Sequence, residues 1–123
     1  MRIGIIGPSE DEIKYFIKDM KIIEKRNFTK LNFHVGKYKN LNFVALFCGV
    51  GKVNAAIASQ LLIDKFNITH IIIVGVAGGI TKELNIGDTV IGTEIACHDV
   101  SDEILTEYHP FMKSIYFILT THY

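Results

Sequence analysis

The stretch RIGIIGPSEDE, residues 2–12, passes from a short apolar run through a glycine and Pro8 into a cluster of acidic residues. Continuous apolar runs of this length are typical of strands that are covered on both faces of a sheet. Residues 44–52 (VALFCGVGK) and 71–79 (IIIVGVAGG) repeat the pattern of an apolar run that enters a glycine-bearing loop. In open α/β sheets, ligands bind outside the carboxyl ends of the strands, where glycine lets the backbone approach them. The three loops therefore predict one composite small-molecule site.

The segments around these loops predict an α/β fold, a mixed β-sheet with flanking helices, in the order β-α-β-β-α-β-β. Apolar residues spaced by three and four after Ser9 predict a first helix. The alanine-rich residues 51–66 predict a second helix, which ends at Asn67. The basic patch at 21–26 is interpreted as a solvated helix end and loop. The predicted strands cover residues 2–7, 31–35, 41–48, 69–74 and 89–96, with turns at 39–40 and 85–88.

The composition excludes several classes of function. Of 123 residues, 49 % are apolar and 21 % are charged, so the chain can build a core and shows no sign of disorder. Thirteen basic and thirteen acidic residues cancel, which argues against a nucleic-acid-binding surface. The apolar stretch at 71–80 contains three glycines and is too short to span a membrane. The N-terminal apolar run is too short, and too acidic afterwards, for a secretory signal.

The two cysteines, Cys48 and Cys97, each close a strand-like run, and neither belongs to a motif with zinc-ligand spacing. This usage favours a reduced, cytoplasmic compartment. We therefore expect a cytoplasmic protein with no metal and no other cofactor.

Glu12 is the first candidate for chemistry, because it lies one helical turn after Ser9, near the end of the first strand. Two interpretations are open. The spacing Ser9-x-x-Glu12 fits a capping box, in which Glu12 would bind the Ser9 amide. Alternatively, the carboxylate is a general base at the mouth of the crevice. The spacing alone favours the cap.

The glycine loops allow a similar choice between turn and binding site. Residues 49–52 (GVGK) do not form a phosphate-binding loop, because the required flanking positions hold Leu46 and Val53. They form either a plain turn or one whose Val50 packs on a ligand. The small residues at 75–79 leave space for a flat ring or a sugar against bare backbone. For the pair His98-Asp99, a local hydrogen-bonding role is favoured over catalysis, since neighbours in an extended stretch point to opposite sides.

The arginines provide a further discriminating observation. The chain contains only Arg2 and Arg26, and neither follows a predicted strand at its carboxyl end. Enzymes that use phosphate as a co-substrate commonly grip it with a guanidinium group. A site with a glutamate and no arginine favours water over phosphate as the nucleophile.

Taken together, these segments resemble the N-terminal half of the bacterial 5′-methylthioadenosine/S-adenosylhomocysteine nucleosidases, within the purine nucleoside phosphorylase superfamily. The resemblance covers residues 1 to about 117, and residues 118–123 diverge from it. We therefore expect residues 1–123 to form a single, incomplete α/β nucleosidase-like domain. The matching segments are 2–7 with the acidic residues 10–12, then 48–56, 75–79, 86–88 and His98-Asp99.

The resemblance implies hydrolysis of the N-glycosidic bond, which gives adenine and a thioribose product in methionine salvage. The residue that matches Glu12 positions and deprotonates the attacking water, so the resemblance favours the catalytic interpretation over the cap. The loop that matches Val76, Ala77 and Gly78 lies beside the ribose and the purine. The position of Val50 packs near the 5′-alkylthio group.

The resemblance also implies a homodimer in which a partner subunit completes the thioalkyl pocket, with Leu105 and Tyr108 as the candidate residues. Ser9 stands where many members carry a methionine against the sugar.

The family's leaving-group acid, its pair of ribose-binding residues and its purine-stacking phenylalanine lie in the C-terminal half and have no counterpart in these 123 residues. Leaving-group protonation contributes roughly 10²–10⁴-fold, so the chain alone is expected to be weakly active at most. Two alternatives stay open. One is a non-catalytic fragment that oligomerises or binds nucleosides, and the other is a purine nucleoside phosphorylase, which the arginine argument disfavours.

Overall fold

A computed structural model of the protein describes residues 1–101, 103, 104 and 107, together with the backbone of 116–118. The chain forms two compact units, Met1–Gly78 and Gly79–Tyr123. The elements, in chain order, are β1 (Arg2–Gly7), α1 (Glu10–Asp19), β2 (Lys21–Phe28), β3 (Leu31–Tyr38), β4 (Leu41–Phe47), α2 (Lys52–Phe66), β5 (His70–Ile73), β6 (Glu94–Ala96) and β7 (Tyr116–Ile118).

The first unit is built on a five-stranded sheet in the order β2-β3-β4-β1-β5. The strand β1 runs parallel to both of its neighbours, β4 and β5, whereas β2, β3 and β4 are joined by antiparallel pairing. The sheet is therefore mixed, as predicted. Because β1, β4 and β5 point in the same direction, their carboxyl ends lie at the same end of the sheet, which is called its carboxyl edge below.

The two helices cover opposite faces of this sheet. Successive side chains of a strand alternate between its faces, so β1 and β4 each contribute residues to both helix contacts. On one face, Ile6 and Val44 pack with the α2 residues Leu62 and Phe66. On the other face, Ile3, Ile5, Phe43 and Ala45 pack with Ile13 of α1. This arrangement explains the continuous apolar runs of β1 and β4, since both of their faces are buried.

The interpretation of residues 21–26 as a helix end and loop is wrong, because they belong to the strand β2. This strand is mostly exposed and has a polar sequence, so no apolar alternation marks it. A tight turn at Thr29 and Lys30 pairs β2 with β3, and the backbone hydrogen bonds of this pairing hold the strand in place. The side chains of β2 give no sign of it in the sequence. Both turn residues have positive φ, as the favoured two-residue hairpin turns require.

Most other boundaries agree with the prediction. The hairpin β3–β4 turns at Lys39, with φ of 52°, and α2 ends at Asn67, whose left-handed backbone bonds back to Ile63 and Leu62. The turn at 85–88 closes through an Asp88 N–H to Asn85 carbonyl bond of 3.1 Å.

The predicted strand 89–96 is too long, because only Glu94–Ala96 is strand, paired with β7 in the second unit. The preceding residues 89–93 have no strand partner among the described residues. Within the described residues, no helix has the length and apolar character needed to cross a bilayer.

The close approach of β2 to Gly36 gives a test of the edge hairpin. A Cβ atom at Gly36 would lie 2.5 Å from the Lys21 carbonyl oxygen, which is a clash with backbone. We expect Gly36→Ala to displace β2 and to lower the free energy of unfolding by about 1–3 kcal/mol, as over-packing does. Urea unfolding measures the change. Gly78→Ala, where a Cβ meets nothing within 4 Å, is the matched control and should unfold like the parent chain.

Candidate active site

The loops that follow β1, β4 and β5 begin side by side. The Cys48 N–H, just after β4, donates to the Gly7 carbonyl at 2.9 Å, and the Val74 N–H, just after β5, donates to the Ile6 carbonyl at 2.9 Å. The end of β1 is thus bonded on both sides to the first residue of a neighbouring glycine loop. All three loops open from the carboxyl edge of the sheet, as the sequence predicted.

Glu12 lies in the first turn of α1, directly after the β1 loop. Its Oε1 accepts a hydrogen bond of 2.9 Å from the backbone N–H of Val76, in the loop after β5. Its Oε2 accepts a hydrogen bond of 2.7 Å from the Ser9 hydroxyl. The structure therefore brings together three of the predicted site residues, Ser9, Glu12 and Val76, around one carboxylate.

These contacts hold the pKa of the Glu12 carboxyl below its ordinary value of 4.5. The Ser9 hydroxyl is the largest cause, and the Val76 N–H is the next, because both donate to the charged form. Partial desolvation and the nearby charge of Asp11 act in the opposite direction and are outweighed. Glu12 is therefore an ionised proton acceptor at neutral pH.

Ser9 occupies the N-cap position of α1 with an extended backbone, at φ −136° and ψ 164°. Its side chain makes no capping hydrogen bond to the first turn of the helix, and it binds the Glu12 carboxylate instead. The capping-box arrangement is therefore incomplete. The hydroxyl gives its one proton to the charged carboxylate, and its oxygen accepts no backbone N–H of the first turn.

Gly75 belongs to the predicted loop 75–79, but the sequence analysis did not predict its contact with Glu12. A Cβ at this position would lie 3.1 Å from Glu12 Oε1 and 3.5 Å from the Pro8 ring. The absence of a side chain leaves room for the carboxylate beside the β5 loop. The signal in the sequence was the position of this glycine in a loop after an apolar run.

The loop after β4 is held by a second residue that the sequence analysis left out, Asn54. Its side-chain N–H donates to the Val50 carbonyl at 2.8 Å, so it secures the turn that leads into α2. Gly49 and Gly51 both have positive φ, at 85° and 108°. Between them the Val50 side chain is 80 % exposed at the carboxyl edge of the sheet.

The remaining predicted site residues take different positions. Ala77 and Gly78 continue the β5 loop and are exposed, as is the Val76 side chain at 89 %. His98-Asp99 lies in a turn of the second unit. Leu105 and Tyr108 lie outside the described residues. Among the residues that are described, no three His, Cys, Asp or Glu side chains converge to hold a metal ion.

An apolar cavity of about 410 Å³ lies elsewhere, on the face of the sheet that α1 partly covers. Its lining includes Phe16, Met20 and Phe43, and none of the predicted site residues. The candidate site is therefore an arrangement of loops at the carboxyl edge, distinct from this cavity.

Comparison with known proteins accounts for this arrangement of strands and loops. The family model described as the phosphorylase superfamily matches residues 2–119. The chain belongs to this superfamily. The individual relatives that follow confirm the resemblance of the chain to the N-terminal half of the nucleosidases.

Individual nucleosidases match most of the chain. The 5′-methylthioadenosine/S-adenosylhomocysteine nucleosidase of Maridesulfovibrio salexigens is 36 % identical over 99 residues, which are 80 % of this chain and 43 % of the relative. The solved structure of the Neisseria meningitidis enzyme, in complex with methylthio-immucillin-A, matches with a TM-score of 0.84 and 32 % identity. That match covers 95 % of this chain and 52 % of the other.

A third match is the nucleosidase of Colwellia psychrerythraea 34H in complex with adenine, with a TM-score of 0.83 and 30 % identity. It covers 96 % of this chain and 50 % of the other. The chain thus spans about half the length of the relatives that it matches. The fold class predicted from the sequence is confirmed by these structures.

The contact between Gly75 and Glu12 gives a test of the site geometry. We expect Gly75→Ala to push the carboxylate away from the Val76 N–H, because the new Cβ would meet Oε1 at 3.1 Å. Loss of this donor should raise the pKa of Glu12 toward its ordinary value. A carboxyl-carbon NMR titration measures the shift. Gly78→Ala, in the same loop but with open space around it, should leave this pKa where it is. Equal titration curves for the two variants would contradict the arrangement.

Proposed function

We propose that this protein is a nucleosidase that hydrolyses the N-glycosidic bond of 5′-methylthioadenosine and S-adenosylhomocysteine. The products are adenine and a thioribose, as expected for methionine salvage. The observation that carries the proposal is the Glu12 carboxylate, held between the Ser9 hydroxyl and the Val76 N–H at the carboxyl edge, where three glycine loops meet. The relatives named above, which are nucleosidases with adenine or an immucillin bound in two solved structures, support this choice.

Glu12 acts in this proposal as the general base that orients and deprotonates the attacking water. A carboxylate offers about four lone-pair positions, and the two hydrogen bonds to Glu12 use one on each oxygen. Positions that these bonds do not use are left for water. Glycosidic cleavage passes through an oxocarbenium-like transition state, so an ionised carboxylate near the sugar also opposes the developing positive charge.

The exposed loops supply the binding surface. The loop beside Glu12 has two apolar side chains, Val76 and Ala77, and no side chain at Gly78. Its open backbone suits a ribose and the flat face of a purine. Val50 presents an exposed apolar side chain at the carboxyl edge, which suits the 5′-alkylthio group. An adenine nucleoside is therefore the proposed ligand.

Water is favoured over phosphate as the nucleophile because both arginines of these 123 residues are engaged elsewhere. Arg2 lies at the start of β1, the opposite end from Glu12, and its Nη1 donates to the Phe66 carbonyl at 2.8 Å. Arg26 lies on the edge strand β2 and pairs with Glu24 at 2.8 Å. Neither supplies the guanidinium grip that phosphorolysis commonly uses.

The proposal also covers the domain organisation, the oligomeric state and the location of the protein. The family match extends across both compact units, which supports residues 1–123 as one incomplete nucleosidase-like domain. Since the resemblance places the leaving-group acid in the other half of the family's length, we expect weak activity at most from this chain alone. A homodimer in which Leu105 and Tyr108 reach the partner's thioalkyl pocket, and a cytoplasmic location, are parts of the same proposal.

A second candidate function is a non-catalytic module that oligomerises or binds nucleosides. One observation favours it: β5 forms an edge of the five-stranded sheet, and its Ile73 is 70 % exposed. An apolar edge strand is a template for pairing with another chain. Size-exclusion chromatography across a range of concentrations tests this candidate, because a chain that stays monomeric at every concentration contradicts it.

The nucleosidase proposal is tested by adenine release from 5′-methylthioadenosine. We compare the chain alone with a hybrid in which its residues 1–117 replace the matching part of the Neisseria meningitidis nucleosidase. The hybrid should be active and the chain alone weakly active or inactive. Glu12→Gln in the hybrid should lower kcat/KM by about 10²–10⁴-fold, the usual contribution of a general base.

Glu10→Gln is the matched control for this test. Glu10 begins the same helix and is exposed, and it is not among the residues that bind the Glu12 carboxylate. Its substitution should leave kcat/KM unchanged. A hybrid that folds and keeps its activity after Glu12→Gln would end the assignment of Glu12 as the base.

A further inference from the structure

We propose that Ser9 is a positioning residue for Glu12, whose hydroxyl fixes the carboxylate in the orientation that bonds to the β5 loop. This inference rests on the proposed function of Glu12 as a general base.

The Glu12 carboxylate is held at two points. Ser9 Oγ donates to Oε2 at 2.7 Å, and the Val76 N–H donates to Oε1 at 2.9 Å. A glutamate side chain has several rotatable bonds, and ordering it costs free energy. One hydrogen bond would leave the carboxylate free to turn about the bonded oxygen, whereas two donors on different oxygens define its plane. The unused lone pairs, which would receive the water, then point in defined directions.

The Ser9 hydroxyl binds a different group from the one that an N-cap serine ordinarily binds. A serine at the N-cap ordinarily accepts a hydrogen bond from a backbone N–H of the first helical turn. Here Ser9 has the extended N-cap backbone, but its side chain makes no such bond. The hydroxyl instead donates its single proton to a side chain on the same helix. In this structure the one side-chain hydrogen bond of Ser9 near the helix start is therefore the bond to the carboxylate.

The Ser9 hydroxyl lowers the pKa of Glu12. A donor that binds the ionised form more strongly than the neutral form keeps the pKa of Glu12 low, and Ser9 is the largest cause of that shift. The carboxylate is therefore fully ionised at neutral pH. Since the folded-state pKa is depressed, the stabilisation is present above pH 4.5 and is lost as the pH falls through the folded-state value.

The experiment is a carboxyl-carbon NMR titration of Glu12 in the 123-residue chain, which requires no turnover. We expect Ser9→Ala to shift the Glu12 pKa upward, because the largest cause of its depression is removed. Ser9→Thr retains a hydroxyl at the same position and should restore the low value. A purely structural role for Ser9 would change the unfolding temperature of the alanine variant and leave the titration of Glu12 unmoved.

Lys14→Gln provides the matched control on the same helix. Lys14 pairs with Asp11 at 2.7 Å and lowers the pKa of that carboxyl, and it is not a cause of the Glu12 shift. The variant should therefore raise the pKa of Asp11 and leave that of Glu12 nearly unchanged. An unshifted Glu12 in Ser9→Ala, or a threonine variant that titrates like the alanine variant, would overturn the inference.

The same substitution in the hybrid enzyme separates this inference from the function on which it rests. If both hold, Ser9→Ala should move the acidic limb of the kcat/KM profile to higher pH, in step with the NMR titration. An upward shift in the titration with an unchanged rate profile would leave Ser9 as the positioning residue and would remove Glu12 as the base. An unmoved titration with an active, Glu12-dependent hybrid would reject Ser9 and retain the nucleosidase.

Discussion

The site depends on one constraint, the parallel pairing of β1 with a neighbour on each side. Because β4 and β5 run in the same direction as β1, the chain after each of the three strands emerges at the carboxyl edge of the sheet. The hydrogen bonds from Cys48 to Gly7 and from Val74 to Ile6 extend the pairing just past the strands. Residues far apart in sequence, such as Glu12 and Val76, then lie within hydrogen-bonding distance without a long connection.

The burial of β1 makes this arrangement rigid. Its side chains alternate between a layer that includes α2 and a layer that includes α1, so a shift in register would expose both sets. The helix α1 starts three residues after β1 and packs Ile13 into the second layer, next to Glu12 in the sequence. A buried residue therefore anchors the turn that presents the carboxylate, which helps the partly exposed Glu12 side chain to hold a defined position.

The sequence predicted the parts of the fold that bury apolar side chains and missed a part that does not. Residues 2–7 form a continuous apolar run and residues 51–66 are rich in alanine and leucine, and the structure has a strand and a helix there, with Asn67 in the left-handed conformation at the helix end. The strand β2 carries no such signal, since its pairing with β3 rests on backbone hydrogen bonds and a turn at Thr29 and Lys30. The strand predicted for 89–96 is too long for a different reason, because its apolar residues 89–93 pair with no strand in the part of the chain that the structure describes.

The candidate site shows the same division between local and long-range information. The helical spacing of Ser9 and Glu12 identified two residues that touch and suggested a bond from the Ser9 backbone to the carboxylate, whereas in the structure the Ser9 hydroxyl is the stronger contact and the Ser9 backbone the weaker one. A residue sixty-four positions away in the sequence also takes part, because the Val76 N–H binds Oε1 of Glu12. Once that oxygen is drawn toward the β5 loop, and Gly75 leaves room for it, the Ser9 hydroxyl meets the second oxygen. A helix cap and the proposed general base share one sequence pattern, and what distinguishes this carboxylate from a plain cap is its bond to the loop after β5.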